Sequence, residues 1–341
     1  MSRICPLFSG STGNSTYIAG ANGSFLVDAG ASLRSLTAAL EGAGGALTEI
    51  SAIFVTHEHF DHIKGLKPLL NKTGLTVVAS EKTLKALITA DRLPAGTKTC
   101  VIDGEAPFEC NGAVISRFAT SHDCEGSSGY TFLMPDGKKI SVCTDLGVVT
   151  EDVRKAISGS DAVLIESNHD VDMLNKGPYP PELKMRIMSE KGHISNNACS
   201  AELAGLLNSG TKRFILGHLS QKNNTPLLAL SSAEINSALS REAELILKKI
   251  PAGDYVVPLC IEGKQLSSEE FSGVIEEKMN IGRGVTFIIG SSCGLSETIK
   301  HRADLKLSFS KMTFPHQLFR VMLLEQIYRA FKICSGGAYH K

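Results

Sequence analysis

Between Thr56 and His62 the chain reads Thr-His-Glu-His-Phe-Asp-His, directly after the apolar run Ala52-Ile53-Phe54-Val55. An apolar run of that length ahead of a polar cluster predicts a buried strand that empties into a loop. Four side chains of that loop, His57, His59, Asp61 and His62, offer imidazole nitrogens and a carboxylate, donors that suit a borderline divalent cation. Alternate positions of such an array can face two neighbouring cations, and a pair of cations clamps the attacking and leaving oxygens of a hydrolysis. The stretch reads as a metal site.

The remaining totals set bounds. A chain of 341 residues is long enough for two domains, and 43% hydrophobic content fills ordinary cores. The net charge is zero, so composition gives no argument for nucleic acid or membrane. Nine scattered cysteines without a CxxC pair read as reduced thiols rather than a disulfide framework. No apolar h-region precedes Ser9–Asn14, and no apolar run approaches the roughly 18 residues of a membrane helix. A cytoplasmic protein is expected, with no membrane partner.

Along the chain, Tyr17–Ala19 and Ser24–Val27 predict a hairpin around Gly20-Ala21-Asn22-Gly23, the Asn-Gly pair supplying positive φ. Asp28 ends that second strand; it can cap a helix over Ser32–Leu40 or stand behind the metal ligands. Ser9–Asn14 is glycine-rich but lacks the Gly-Lys-Ser/Thr ending of a phosphate loop. Strands are expected at Ile53–Val55, Leu75–Ala79, Val101–Ile102, Ala113–Phe118, Tyr130–Met134 and Lys139–Cys143, with a helix at Lys82–Thr89. His122, Asp145 and His218 each follow an apolar run. His169 and His193 could orient a ligand, touch substrate or be structural. Asn175–Arg186 adds basic and aromatic residues suited to a nucleic-acid backbone, or is a solvated loop and helix.

These stretches resemble the metallo-β-lactamase-fold hydrolases, and within them the WalJ/YycJ/VicX-like branch. The resemblance rests on Ser9–Asn14, Val27-Asp28-Ala29-Gly30, Thr56–His62, Ser121-His122-Asp123, Thr144–Gly147, Glu166–Asp170, Gly192–Asn196 and Gly217-His218-Leu219-Ser220. It implies an α/β fold with an αββα sandwich over residues 1–228. It assigns His57, His59 and His122 to one divalent ion and Asp61, His62 and His218 to a second. Asp145 lies between them, and Asp61 and Asp145 count as catalytic. The ions would be zinc or manganese, since mixed nitrogen and oxygen ligation without thiolate selects neither. The branch implies phosphodiester hydrolysis, as a 5′ to 3′ exonuclease on DNA, with RNA as a further nucleic-acid substrate. Thioester hydrolysis is the alternative, because the same metal core performs it.

From Ser231 onward the chain changes. Ser231 to Glu234 and Ser267 to Glu270 have capping-box spacing and predict helices over Ser232–Lys249 and Ser268–Asn280. Tyr255–Leu259, Val285–Ile289 and Leu305–Phe309 are strand-like apolar runs, and Pro315 opens a long helix. Leu318, Met322, Leu323, Ile327 and Phe331 are its expected apolar face. Gly263–Phe271, Phe287–Leu295, Leu307–Leu318, Leu323–Ala330 and Tyr339-His340-Lys341 are similar to the ribosomal RNA large subunit methyltransferase H family. That resemblance implies, over residues 229–341, a SPOUT α/β domain with a trefoil knot. Its activity is transfer of a methyl group from S-adenosyl-L-methionine to N3 of a pseudouridine in 23S rRNA. The cofactor would touch Leu259, Gly290 and the run Phe309, Ser310, Lys311, Met312, Thr313 and Phe314.

Large-subunit rRNA in the ribosome is the implied partner, with a homodimer formed through this domain. Lys300–Lys341 holds eight Lys/Arg against two Asp/Glu, an excess suited to a phosphate backbone. Two departures stand out. Ser291 replaces the family's usual second glycine, and the family's opening strand and helix have no counterpart. The chain reads as a fusion; the alternative is a hydrolase carrying an RNA-binding or dimerisation module with a degenerate cofactor pocket.

Overall fold

Alternation of apolar side chains decides the layers of the first half. The structure is a computed structural model that describes residues 2–104, 106–291, 294–312 and 314–337, and the backbone alone of His316. The chain forms two compact units, Met1–Glu234 and Ile235–Lys341. In the first, β1 (Arg3–Phe8), β2 (Ser15–Gly20), β3 (Gly23–Val27), β4 (Ile50–Phe54), β5 (Thr76–Ala79) and β6 (Thr99–Val101) make one sheet in sequence order. A second sheet runs β12-β11-β10-β9-β8-β7. Its strands are β7 (Phe108–Cys110), β8 (Ala113–Ala119), β9 (Ser128–Leu133), β10 (Lys139–Cys143), β11 (Ala162–Glu166) and β12 (Phe214–Gly217).

Phe25 and Val27 of β3 and Phe54 of β4 meet Phe132, Val142 and Leu164 between the sheets. The intervening residues Leu26 and Ile53 turn the other way, onto α1 (Leu33–Gly42), α2 (Phe60–Ile63), α3 (Leu66–Thr73) and α4 (Glu81–Thr89). Val163 and Ile165 of β11 likewise turn away from the sheet interface. They pack with residues of α5 (Glu151–Ile157) and, beyond α6 (Val171–Lys176) and α7 (Pro181–Met188), of α8 (Asn196–Asn208). The result is an αββα sandwich. Phe54 sits at its centre, with ring centroids of Phe25, Tyr130 and Phe132 at 5.9, 5.3 and 5.1 Å. Truncating it to alanine would cost about 3–5 kcal/mol.

Strands β3 to β6 are mutually parallel, as are β10 to β12, and β8 runs with β10 because both are antiparallel to β9. Asp28, the Thr56–His62 loop, His122, Asp145 and His218 all follow the C-terminal ends of these strands, and Glu166 is the last residue of β11. That is where α/β sheets present ligands.

The helix α9 (Pro226–Leu247) runs across the division between the units. It starts earlier than the Ser231 capping box predicts. Pro226 takes an initiating position, and the Thr225 hydroxyl accepts the Leu228 N–H at 3.2 Å. In the second unit β13 (Tyr255–Lys264) pairs in parallel with β14 (Val285–Ile289), joined by α10 (Ser268–Asn280). The Ser267–Glu270 capping box is present. Val257 and Leu259 share a core with Phe271, Ile275, Leu307 and Leu323, while Val256 on the other face meets Ala243, Ile288 and Ile299.

The third run, Leu305–Phe309, forms no strand. Only Leu307 bridges β13, and residues 304–308 follow β13 through single bonds such as Ser308 N–H to Lys264 O at 3.0 Å. Beyond α11 (Glu297–Arg302), α12 (His316–Cys334) begins just after Pro315. Its packed face differs from the expected one. Leu323 and Ala330 are buried, whereas Leu318 and Phe331 are exposed together with Val321, Leu324 and Tyr328. Among the described residues no helix is long and apolar enough to cross a membrane.

Candidate metal centre and cofactor pocket

The strand-end residues of the first unit converge. Nitrogen and oxygen atoms of His57, His59 and His122 lie within 4.8 Å of one another, as do those of Asp61, His62 and His218. Asp145 adjoins both groups. Its Oδ2 is 3.4 Å from His62 Nε2, and its Oδ1 is 3.5 Å from His218 Nε2 and 3.9 Å from His122 Nε2. All seven residues named from the sequence are therefore brought together.

What fixes them is a set of hydrogen bonds at the back of each ring. His62 Nδ1 meets Asp28 Oδ2 at 2.8 Å, His218 Nδ1 meets Glu166 Oε1 at 2.5 Å, and His122 Nδ1 meets the Gly192 carbonyl at 3.1 Å. His57 Nδ1 lies 3.0 Å from the Thr56 hydroxyl, which itself donates to Asp28 at 2.8 Å. In the neutral ring, an Nδ1–H held by an acceptor leaves Nε2 unprotonated and able to bind a cation. His59 is reversed: its Nδ1 faces His122 Nε2 at 3.3 Å and its Nε2 faces Asp123 at 3.5 Å.

Three of the inward atoms, His57 Nε2, His218 Nε2 and Asp145 Oδ2, are buried and make no hydrogen bond. A buried polar atom without a partner costs about 1–3 kcal/mol. Three such atoms within these groups fit cations, and no cysteine belongs to the described cluster.

Electrostatics agree. Burial pushes the His57 imidazolium well below its ordinary value, with His62 and His122 adding repulsion. Burial also opposes charge on His62, but Asp145 and Asp28 outweigh it and hold the pKa up to about 9. Asp61 is held down to about 2: burial raises it, but the neighbouring His218 and His62 imidazoles prevail. Asp28, Asp145 and His218 all adopt positive φ, at 62°, 57° and 53°. Left-handed backbone at non-glycine residues is costly and collects at functional sites.

Asp28 is thus no helix cap. Ser32 caps α1, with its hydroxyl accepting the Ser35 N–H at 3.2 Å. The Ser9–Asn14 loop edges the cleft: Ser9 Oγ accepts the His218 N–H at 2.6 Å, and Asn14 Nδ2 donates to Asp61 at 3.1 Å. Gly30 permits this approach, because a Cβ there would lie 1.7 Å from the Asp61 carbonyl oxygen. His193 faces the pocket with its Nδ1 2.8 Å from Glu166 Oε1. His169 is buried and belongs to none of the groups. Glu166 was missed as a site residue, yet it holds both His218 and His193. The available signal was a carboxylate closing the apolar run Ala162–Ile165, the same mark that Asp28 and Asp145 carry.

In the second unit a cavity of about 420 Å³ is lined by Leu259, Gly290, Phe309, Ser310, Met312 and Phe314 among others. Lys311 is exposed and not part of that wall, and Thr313 lies outside the described residues. The volume suits a small-molecule cofactor. A Cβ on Gly290 would fall 2.5 Å from the Gly294 carbonyl oxygen, so only glycine fits there.

A family profile described as "Beta-lactamase superfamily domain" matches residues 24–219, and one described as "Predicted SPOUT methyltransferase" matches 202–340. The chain is 37% identical over 227 residues to "Exodeoxyribonuclease YycJ" of Bacillus anthracis, covering 66% of this chain and 85% of that protein. It is 54% identical over 107 residues to "Ribosomal RNA large subunit methyltransferase H" of Caldicellulosiruptor bescii, covering 31% of this chain and 70% of that protein. The chain belongs to both families, one in each half. The crystal structure of Zn(2+)-bound PqqB from Methylobacterium extorquens shares the sandwich fold. Its TM-score is 0.54 at 19% identity, over 70% of this chain and 96% of that one.

Proposed function

We infer that residues 1–228 are a dinuclear metal-dependent phosphodiesterase acting on DNA, and that residues 229–341 are an S-adenosyl-L-methionine-dependent methyltransferase of large-subunit rRNA. The hydrolase reading is carried by the buried, unbonded atoms of His57, His218 and Asp145 within the clustered histidines and carboxylates, and the named exodeoxyribonuclease relatives supply its substrate class. His57, His59 and His122 would hold one ion, Asp61, His62 and His218 the other, with Asp145 between, the ions being zinc or manganese. Bound there, the cations would lower the pKa of a water and stabilise developing anionic charge. The protein's own part is orientation. Asp28 and Glu166 fix imidazole tautomers, and His193, held by Glu166, is placed at the pocket to pass a proton to the leaving oxygen.

Metal-loaded full-length protein should release nucleotides from single-stranded DNA. Hydrolysis of a glutathione thioester with no attack on DNA would overturn this in favour of the thioester reading.

For the second half, the 420 Å³ cavity and the Gly290 approach support cofactor binding, and the names of the relatives support methylation of large-subunit rRNA, for which N3 of a pseudouridine is the proposed target. The exposed apolar face of α12 supports a homodimer under this reading and under the second one, a module that only binds RNA or dimerises. Titration with S-adenosyl-L-methionine separates them: a chain that binds none is no methyltransferase. A cytoplasmic location fits the eight described cysteines, all free.

A further inference from the structure

One wall of the metal pocket differs chemically from the rest. Tyr179, Leu183, Arg186 and Ile187 line it, at spacings of three and four that put them on one side of α7 and its approach. Pro178, Pro180 and Pro181 surround the tyrosine and stiffen its backbone, so little conformational freedom is lost when the ring is used as a platform. The Lys222 ammonium stands 5.7 Å from the ring centroid. Arg186 is fixed at the rim by Asp123, which accepts its Nε–H at 2.6 Å and also meets Nη2. The other Asp123 oxygen lies 3.5 Å from His59 Nε2 and 3.4 Å from His122 Nε2. The guanidinium is therefore tethered within one carboxylate of the metal-facing histidines. Stability does not explain this pair, because exposed ion pairs contribute about 0–1 kcal/mol and the Arg186 side chain is 62% exposed.

We propose that Tyr179 and Arg186 form a subsite for one nucleotide of single-stranded nucleic acid, with the base against the tyrosine ring and its phosphate on the guanidinium. The placement beside the reacting phosphate rests on the hydrolase reading. A ring, two aliphatic side chains and a cation match a flat, apolar base and an anionic phosphate. Stacking on a side chain needs an unpaired base. The cleft of about 230 Å³ is small beside the roughly 300–1,000 Å³ of typical ligand pockets, which suits a single base and its phosphate at this wall.

Two readouts test this on the full chain. In metal-stripped protein, an oligonucleotide with a single photoreactive 4-thiothymidine should cross-link to residues 175–188. Single-stranded competitor should suppress the cross-link and blunt duplex should not. In metal-loaded protein, Tyr179→Ala should raise KM for the oligonucleotide about 5- to 150-fold with kcat nearly kept, while Tyr179→Phe stays within about twofold. An abasic residue stepped through the oligonucleotide should abolish the Tyr179→Ala effect at one position. Arg186→Gln should reduce the slope of log affinity against log salt by about 0.7.

Cross-links confined to other segments, or Tyr179→Ala and Arg186→Gln matching wild type on a substrate the enzyme does cleave, would overturn the subsite. Cross-linking at 175–188 by a protein that cleaves no diester would keep the subsite and overturn the hydrolase reading instead.

Discussion

The two candidate sites are built on opposite plans. At the metal centre, polar side chains from several strand ends point inward, and most are fixed from behind by a buried acceptor: Asp28, Glu166, Thr56 or the Gly192 carbonyl. In the second unit the pocket is made of apolar rings and close-approaching backbone, hung on two paired strands and a segment that touches β13 at single points. A site that must hold cations needs fixed lone pairs, and each fixed lone pair needs its own buried partner. A site that wraps a cofactor needs shape, which backbone supplies with few polar groups.

The largest effect should come from the residue common to both ion groups. Asp145→Asn should lower the rate of DNA hydrolysis by more than about a thousandfold. Titration of the same variant with S-adenosyl-L-methionine should match wild type, and loss of cofactor binding there would break the contrast between the sites. Next comes metal uptake by stripped protein. Burial disfavours charge on His62 and His218, yet carboxylates prevail: Asp145 and Asp28 hold His62 up to about 9, and Asp145 and Asp61 lead in holding His218 well above its ordinary value. Without a cation the His62 ring is therefore protonated at pH 7, a proton the cation must displace, and His218 is shifted in the same direction. Uptake of zinc should release at least about one proton per chain, that of His62, and strengthen by about tenfold per pH unit on the way from 7 to 9. Calorimetry in two buffers of different ionisation enthalpy counts the protons, and uptake that strengthens as pH falls would contradict the assignment.

The same contrast governs what could be read before the structure. The seven clustered positions stood out because histidine and carboxylate at the end of an apolar run are chemically conspicuous, and the sandwich was implied by the resemblance that those motifs carry. Glu166 was overlooked because its partners, His193 and His218, lie 27 and 52 residues away in sequence. Asp28 was ambiguous for a local reason: Ser32, four residues on, is as good a cap, and only tertiary contact with His62 decides between them. In the second unit local signals misled more often. The Ser231 box lost to Pro226, and Leu305–Phe309 was apolar enough for a strand but makes only bridge contacts to β13.

Between the extremes lie two substitutions that sharpen the comparison. Gly290→Trp should weaken S-adenosyl-L-methionine binding by more than about a hundredfold, since even a Cβ meets the Gly294 carbonyl, and leave DNA hydrolysis unchanged. Glu166→Gln should cost about 10- to 100-fold in metal affinity or activity, because it weakens the acceptor that both His218 and His193 use. A Glu166→Gln enzyme with wild-type activity would show that ring orientation is secured elsewhere.

The smallest effect is expected at Ser291, the residue that follows Gly290. The backbone there pairs with Gly294 through Ser291 N–H to Gly294 O at 3.1 Å and the return bond at 2.9 Å. Gly294 carries the positive φ of this turn at 87°, and Ser291 is not among the positive-φ residues. A serine in ordinary backbone adds no steric penalty of the left-handed kind, and its short side chain is half-buried at the pocket edge. Ser291→Gly should therefore change cofactor affinity by less than about threefold, measured beside wild type in the same calorimetric titration. A tenfold gain would mean that the hydroxymethyl group obstructs the cofactor, and the second unit would then be a pocket narrowed by substitution rather than one limited by its two-stranded sheet.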